Sequence, residues 1–236
     1  MISDKKTDRY LLKRGVDRSK DQTYVLYFLT QDQLARLDLP LGIYEKTNVR
    51  EIAARCGLIV ASKHDSQDIC FVPDGDYAGY IEREGQQQIK KKWPEGMMEG
   101  LFLDRDGRIL GYHKGYYHYT IGQRRGLGIS SENRIYVVDI IPEKNQVILG
   151  NNEDLFTTEV YAEGFNLISL PETEKDLDID SLPEEITLRV TGRVRYRGKD
   201  TPGTISIKKD GTARMIFDDP VRAVTPGQSL VIYDGD

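Results

Sequence analysis

The stretch ITLRVTGRVRYR at residues 186–197 has a clear strand pattern. Apolar and polar side chains alternate along it: Ile186, Leu188, Val190, Val194 and Tyr196 stand among Arg189, Thr191, Arg193, Arg195 and Arg197. Because successive side chains of a strand point to opposite faces, this period of two predicts a strand with one buried face and one basic face. The arginines, together with Lys199, suit an RNA backbone, but they are equally typical of a solvated face balanced by acidic neighbours.

Further strand signals lie on both sides of this stretch. The Asp-Gly pairs at residues 106–107 and 210–211 each stand between runs rich in apolar residues, which is the pattern of a tight hairpin. Residues 134–141 are rich in β-formers and are predicted to pair with residues 146–149. A last strand is predicted at residues 230–233. Several short strands at this spacing favour a small antiparallel barrel or sandwich.

Helical signals are confined to the amino-terminal part of the chain. Ser19 with Gln22, and Thr30 with Gln33, fit capping boxes that open helices. A third helix is predicted to begin at Thr47. Its apolar face would hold Val49, Ile52, Ala53 and Cys56, and Gly57 would end it. The sequence therefore predicts an α+β fold that is predominantly β.

The change of hydrophobic period after Cys70 predicts three domains. Residues 1–85 would be helical, residues 86–152 a small β-rich central domain, and residues 153–236 an antiparallel β-barrel. Residues 171–185 hold seven acids and one lysine, which predicts a solvated loop or linker.

Length and composition exclude several classes of protein. The chain has 236 residues and a net charge of −5, which excludes a uniformly basic nucleic-acid coat. No apolar run approaches the roughly 18 residues that a membrane span needs, and the first ten residues hold no apolar signal core. Two cysteines are too few for a disulfide scaffold. We therefore expect a cytoplasmic protein with no membrane partner.

Cys70 is the first candidate for chemistry. A thiolate can act as a nucleophile or carry a sulfur atom, but Asp65 and Asp68 beside it disfavour the charged form, so positive charge must come from elsewhere in space. The alternative is a buried, inert cysteine. Cys56 lies on the apolar face of a predicted helix and is expected in the core. The two cysteines with His64 between them are not a convincing zinc pattern, so we predict no metal site.

Two glycine-containing segments are candidate phosphate sites. Residues 120–128, TIGQRRGLG, offer backbone N–H groups and two arginines that could cradle a phosphate, or they form a structural turn. Residues 14–19, RGVDRS, faintly resemble the SGGVDSS pyrophosphate loop of ATP pyrophosphatases. They lack the paired glycines that let a backbone approach phosphates, so we predict no cofactor-binding residues in this chain.

Seven motifs together resemble one known family, the bacterial tRNA-specific 2-thiouridylases. In chain order they are KDQTYVLYFLTQ (20–31), PLG (40–42), KTNVREIA (46–53), DSQDICF (65–71), HYTIGQRRGLG (118–128), VRYR (194–197) and AVTPGQ (223–228). They follow the family's order from about Arg9 to the C-terminus, and the combination is far more specific than any single motif.

The resemblance implies an activity and a set of site residues. Enzymes of this family use ATP, with magnesium, to adenylate C2 of the wobble uridine at position 34 of tRNA, and a persulfide sulfur then replaces the oxygen. Cys70 would be the catalytic cysteine that bears the persulfide. The tRNA contacts would be Lys20, Asp21, Gln22, Arg195, Tyr196 and Gln228. The implied partners are tRNA and a cysteine desulfurase or sulfur-relay protein as sulfur donor.

The resemblance covers only part of the family pattern. Its SGGxDS pyrophosphate loop and its first catalytic cysteine have no counterpart among these residues. The implied fold is a helical remnant of an ATP-pyrophosphatase-type catalytic domain, then a small β-rich central domain and a β-barrel. We expect that the chain alone neither binds ATP in the family manner nor completes thiolation. The alternatives are a tRNA-binding module without catalysis of its own and, ranked last, a tRNA 5-methylaminomethyl-2-thiouridylate methyltransferase.

Overall fold

The computed structural model describes residues 2–4, 9–63, 72, 76–84, 99–169 and 184–235. These residues form a mixed α/β structure in which strands predominate, as the sequence predicts. None of the helices within these ranges is long and apolar enough to cross a membrane. Cys70 and most of the acidic stretch lie outside the described residues, so what the sequence predicts for them stays a prediction.

The regular elements are short. The described helices are α1 (Gln31–Leu34), α2 (Lys46–Arg55) and α3 (Tyr77–Glu84). The described strands are β1 (Ile2–Asp4), β2 (Arg9–Leu11), β3 (Gly100–Leu103), β4 (Ile109–His113), β5 (Tyr136–Ile141), β6 (Gln146–Gly150), β7 (Phe156–Glu163), β8 (Glu185–Arg193), β9 (Thr201–Lys208), β10 (Thr212–Arg222) and β11 (Val231–Tyr233).

The chain forms two compact units. The first consists of Met1–His64, Thr158–Val221 and Gly227–Asp236, and the second of Asp65–Thr157 and Arg222–Pro226. The amino-terminal segment therefore belongs to the same unit as the carboxy-terminal strands.

A five-stranded sheet in the order β11-β8-β9-β10-β7 forms the centre of the first unit and curls into a half-barrel. Strand β8 pairs antiparallel with both β9 and β11. Its alternation is largely as predicted, because Val190 is buried and Arg189 is exposed, while Ile186 and Leu188 are half-buried. The other buried apolar residues of this sheet and its adjoining turn are Val160, Val194, Ile205, Ile207, Ala213, Met215, Phe217, Val221 and Val231. The Asp-Gly pair at residues 210–211 joins β9 to β10 as predicted, with Gly211 at a φ of +87°.

Gly203 on β9 and Gly192 on β8 allow side chains of β10 to pack closely on these two strands. A Cβ on Gly203 would lie 2.4 Å from the carbonyl oxygen of Ile216 and 2.6 Å from the terminal carbon of Met215. A Cβ on Gly192 would lie 2.9 Å from the ring of Phe217. A glycine inside a strand often marks such a close approach, and here it lets two large apolar side chains cover the sheet.

The helix predicted after Ser19 is wrong. Residues 19–29 hold a single 3-10 turn at Thr23–Val25. The hydroxyl of Ser19 donates to Asp17 Oδ1 at 2.6 Å, and the carboxylate of Asp21 accepts from the Thr23 hydroxyl at 2.7 Å. Such local side-chain bonds offer the backbone an alternative to the helical ladder, and they favour turns at this position.

The next two predicted helices are present: α1 begins after Thr30 as predicted, and α2 begins at Lys46, one residue before the predicted start at Thr47. Thr30 and Gln33 form a reciprocal capping box, although α1 is only one turn long. Helix α2 ends at Arg55, with Cys56 as its C-cap, and Gly57 follows at a φ of +69°, the left-handed conformation expected there. The predicted core position of Cys56 is wrong: the side chain is exposed, because α2 has no fully buried residue in this structure.

A four-stranded sheet in the order β4-β3-β6-β5 forms the second unit. The predicted hairpin at residues 106–107 joins β3 to β4, and β5 pairs antiparallel with β6 as predicted. Strands β3 and β6 are parallel, which local sequence patterns do not reveal. The core consists of Phe102, Leu127, Val137, Val147 and Leu149.

The glycine-rich segment 120–128 is a structural turn of the second unit. The Gly122 N–H donates to the carbonyl of Val137 at 2.7 Å, and the Gln123 N–H donates to the carbonyl of Thr120 at 2.9 Å. Gly122 has a φ of +88°, a conformation that disfavours residues with a Cβ. Because these backbone donors already have partners within the protein, the structure favours the turn over the phosphate cradle.

Candidate nucleic-acid interface

An open groove of about 610 Å³ lies in the first unit, where three distant segments of the chain meet. Its lining residues are Tyr24, Val25, Tyr27 and Phe28, then Arg195, Tyr196 and Arg197, and finally Gly227, Gln228 and Ser229. No acidic residue is among these described lining residues. We call this surface the aromatic groove. Rings beside cationic side chains are typical of surfaces that bind single-stranded nucleic acid.

Tyr24 contacts both of the other segments that line the aromatic groove. Its hydroxyl donates to the carbonyl of Ser229 at 2.8 Å, and its ring meets that of Tyr196 edge-on with 6.1 Å between centroids. Burial raises the pKa of Tyr24, so the hydroxyl stays protonated and remains a donor at neutral pH. Tyr24 thereby positions Tyr196, whose ring is partly exposed.

Asn166 fixes the backbone at one wall of the aromatic groove. Its side-chain amide donates to the carbonyl of Tyr27 at 2.7 Å and to the carbonyl of Leu29 at 3.0 Å. Phe28 lies between these two carbonyls and is 57% exposed. Its ring meets that of Tyr27 edge-on, with centroids 5.9 Å apart. A large aromatic side chain is therefore presented to solvent on a backbone held by two hydrogen bonds.

Residues 195–197 of the aromatic groove lie on a turn and not on a strand. Strand β8 ends at Arg193, and the N–H of Gly198 donates to the carbonyl of Arg195 at 2.8 Å. Arg195 is half-buried and Arg197 is exposed. The prediction of one continuous strand through residue 197 is therefore wrong, because the chain turns after Val194.

Arg193 does not face outward as predicted. Its side chain is 13% exposed, and its Nε donates to Asp200 at 2.7 Å. Arg14 forms an ion pair with the same carboxylate, and its guanidinium lies 3.5 Å from the ring centroid of Tyr233. Burial alone would raise the pKa of Asp200, but the hydrogen bonds from Arg193 and Arg14 lower it overall. The ionised carboxylate therefore balances these arginines and joins residue 14 to the carboxy-terminal sheet.

Arg189 is exposed as predicted, but its charge is balanced as well. Its guanidinium donates twice to the carboxylate of Asp218, with one of the bonds at 2.7 Å. The predicted basic face of β8 is thus reduced, and the arginines that line the aromatic groove are Arg195 and Arg197.

The structure brings half of the predicted tRNA contacts together. Arg195, Tyr196 and Gln228 all line the aromatic groove. Lys20, Asp21 and Gln22 lie on the loop that leads into Tyr24, with the lysine and the glutamine exposed. Asp21 is buried, and its carboxylate accepts from the backbone N–H of Gly15 at 3.2 Å. Asp21 therefore shapes this loop from within.

Sequence reasoning missed Tyr24, Tyr27 and Phe28 as members of a site. They follow the capping box expected at Ser19 and Gln22, so the sequence predicts them to lie on a helix. The available signal was the density of aromatic residues in YVLYF at residues 24–28, which lacks a helical period.

Three family models match the chain and place it in a class of tRNA-modifying proteins. They are described as the tRNA methyl transferase HUP domain at residues 1–74, the tRNA methyl transferase PRC-barrel domain at residues 86–151, and the aminomethyltransferase beta-barrel domain at residues 172–236. Together they match most of the chain.

Individual relatives show which family within this class the chain matches. The tRNA-specific 2-thiouridylase MnmA of Clostridioides difficile strain 630 and MnmA 1 of Thermoanaerobacter sp. strain X514 are each 48% identical over 233 residues. The MnmA of Acetivibrio thermocellus is 46% identical over 228 residues. The chain belongs to this family of tRNA-specific 2-thiouridylases. The match with each of the first two covers 99% of this chain and 59% of the relative, and with the third it covers 97% and 58%.

Proposed function

We propose that this chain is the tRNA-binding and sulfur-carrying part of an enzyme that replaces the C2 oxygen of uridine 34 in tRNA with sulfur. The observation that carries the proposal is the aromatic groove. Arg195, Tyr196 and Gln228 come from two family motifs separated in sequence, and they line one concave surface. The names of the curated relatives agree with this activity.

The proposed tRNA contacts fall into two groups with different roles. Arg195 would meet phosphate, Tyr196 would stack on a base or sugar, and the amide of Gln228 would hydrogen-bond a base edge. Lys20 and Gln22 would extend the contact along the neighbouring loop. Asp21 would act as a positioning residue for that loop, since its carboxylate is already used within the protein.

The proposed sulfur chemistry rests on Cys70. The terminal persulfide sulfur on Cys70 would attack C2 of an activated uridine, and the C2–O bond would break as the activated oxygen leaves. The first catalytic cysteine of the full enzyme, which has no counterpart in this chain, would then attack the Cys70 sulfur, so that a disulfide forms and the terminal sulfur stays on the base. A cysteine desulfurase or sulfur-relay protein would load Cys70, and the cytoplasm, where tRNA is available, would be the compartment.

The segment that faintly resembles a pyrophosphate loop does not fit the phosphates of ATP. The segment most similar to a pyrophosphate loop, residues 14–19, begins with Arg14, whose side chain is buried against Asp200 and Tyr233. That arrangement leaves no cradle of small residues for phosphates. We therefore assign no ATP-dependent step to this chain and expect it to be inactive in thiolation alone.

Peptide-resolved mass spectrometry tests the sulfur-carrying role. The chain is incubated with a cysteine desulfurase and cysteine, and each cysteine peptide is measured. We expect one added sulfur atom on Cys70 and none on Cys56, although Cys56 is exposed. The C70S variant is the control for the site, and C56S is the control for exposure. Equal loading of both cysteines, or loading of neither, would leave the alternative of a tRNA-binding module without chemistry.

Binding to a tRNA transcript with uridine at position 34 tests the other half of the proposal. We expect the wild-type chain to bind it at low salt, with affinity that falls as salt rises. Absence of binding would exclude the proposed tRNA contacts whatever the result for Cys70.

A further inference from the structure

Phe28 and Tyr27 are exposed aromatic residues that the proposed tRNA contacts do not include. Phe28 is 57% exposed and Tyr27 is 38% exposed, and both line the aromatic groove. Exposing two adjacent rings costs hydrophobic free energy, and clusters of exposed apolar residues often mark binding sites. Their role therefore needs an explanation beyond packing.

The backbone around Phe28 is pre-organised. Asn166 donates to the carbonyls of Tyr27 and Leu29, the two residues that flank Phe28 in the chain. Asn166 is 137 residues or more away in sequence from both acceptors. A clamp of this kind lowers the entropy that the segment would lose when a ligand stacks on the ring.

The charge of the aromatic groove favours an anionic ligand. Arg195 and Arg197 line the same surface, and its described lining residues include no acid. Rings together with guanidinium groups fit a chain that alternates aromatic bases with phosphates. Bases within a helix have their faces covered by stacked neighbours, so only an unpaired, splayed nucleotide could lie on Phe28.

We propose that Phe28, with Tyr27 beside it and Asn166 behind it, is a stacking platform for an unpaired base of a bound RNA, and that Arg197 contacts the adjoining phosphate. This inference rests on the proposed binding of tRNA and adds a site to it. Asn166 is a positioning residue, because it reaches the base only through the backbone of residues 27–29.

Titration with short RNAs tests the platform in the 236-residue chain. The probes are fluorescein-labelled heptauridine, the tRNA transcript, and a blunt RNA duplex. Replacing Phe28 with leucine keeps an apolar side chain and removes the ring. We expect F28L to weaken binding of heptauridine at least about fivefold, which is the lower range for losing one base–aromatic stack. Binding of the duplex should not change.

Three further measurements make the test specific. The slope of log affinity against log salt should be the same for F28L and the wild type, since no charge is lost. F28W should retain affinity, and its added indole fluorescence should be quenched by heptauridine, with the wild type, which holds only Trp93, as the reference. F156L is the matched control, because Phe156 is also exposed but lies on β7 outside the aromatic groove.

The outcomes separate this inference from the proposed function. Equal affinity of F28L and the wild type for heptauridine, or no binding of heptauridine by the wild type, overturns the platform. If the wild type still binds the tRNA transcript in that case, the proposed function stands without it. Loss of heptauridine affinity in F28L together with no binding of the tRNA transcript would support the platform and overturn the proposed tRNA contacts.

Discussion

The arginines at residues 189–197 differ in role, because acidic side chains bind some of them and others line the aromatic groove. Arg189 is bonded to Asp218, and Arg193 is bonded to Asp200. Arg195 and Arg197 line the aromatic groove instead. Residue type and spacing cannot distinguish these cases, because the acids that balance the first pair arrive from other strands and turns.

The double variant R195A/R197A tests which arginines meet RNA. We expect weaker binding of the tRNA transcript and a shallower dependence on salt, because each lost phosphate contact reduces the log–log slope by roughly 0.7 to 0.9. Arg197 is exposed, and removal of such a charge usually changes stability within about ±0.5 kcal/mol. Arg195 is half-buried, so R197A alone is measured beside the double variant. The measurement is affinity across a salt series, with circular dichroism to confirm the fold.

A charge-neutral variant provides the control for this experiment. R189A/D218A removes one ion pair from the same sheet and leaves the net charge unchanged. We expect its salt slope to match that of the wild type. If R189A/D218A flattens the slope as much as R195A/R197A does, the RNA contact extends over β8 and is not confined to the aromatic groove.

At the scale of the elements, the close packing of β8, β9 and β10 requires glycine at residues 192 and 203. A methyl group at Gly203 would lie 2.4 Å from a backbone oxygen that cannot rotate away. We expect G203A to destabilise the first unit by about 1–3 kcal/mol, the usual cost of overpacking a core. Thermal unfolding followed by circular dichroism measures the change.

The control for this prediction is a glycine without close neighbours. Gly42 would meet nothing within 4 Å of an added Cβ, and it has no positive φ that would strain alanine. G42A should therefore unfold at the temperature of the wild type. An unchanged midpoint for G203A would mean that β9 and β10 can move apart at little cost.

Elements whose signals are local could be predicted from the sequence. The alternation of β8, the Asp-Gly turns and the Thr30 capping box depend on residues within a few positions of one another, and the structure confirms them. The helix expected after Ser19 failed because Asp17 and Asp21 bond to the residues of that loop instead. The aromatic groove could not be predicted, because Tyr24, Tyr196 and Ser229 meet only after the chain has folded.

At the scale of the whole molecule, the compact units and the predicted domains divide the chain differently. The sequence predicts that residues 153–236 form a domain of their own. In the first unit, however, Met1–His64 packs with the carboxy-terminal strands. Arg14 is paired with Asp200, and Tyr24 donates to the carbonyl of Ser229. These contacts join the two halves of the first unit across more than 180 residues of sequence.

Thermal unfolding of the isolated segment 153–236 tests whether these residues form a domain of their own. Without Arg14 and Tyr24, Asp200 loses one of its two cationic partners, and the Ser229 carbonyl and the Tyr196 ring lose their contacts with Tyr24. We expect the segment to unfold at least about 5 °C below the whole chain, because each kcal/mol shifts the midpoint of a domain of this size by about 4–8 °C. The measurement is circular dichroism on heating, with the whole chain as reference. A cooperative transition at the same temperature as the whole chain would establish residues 153–236 as an independent domain. In that case the carboxy-terminal sheet folds alone, and the contacts of Arg14 and Tyr24 only attach the amino-terminal segment to it.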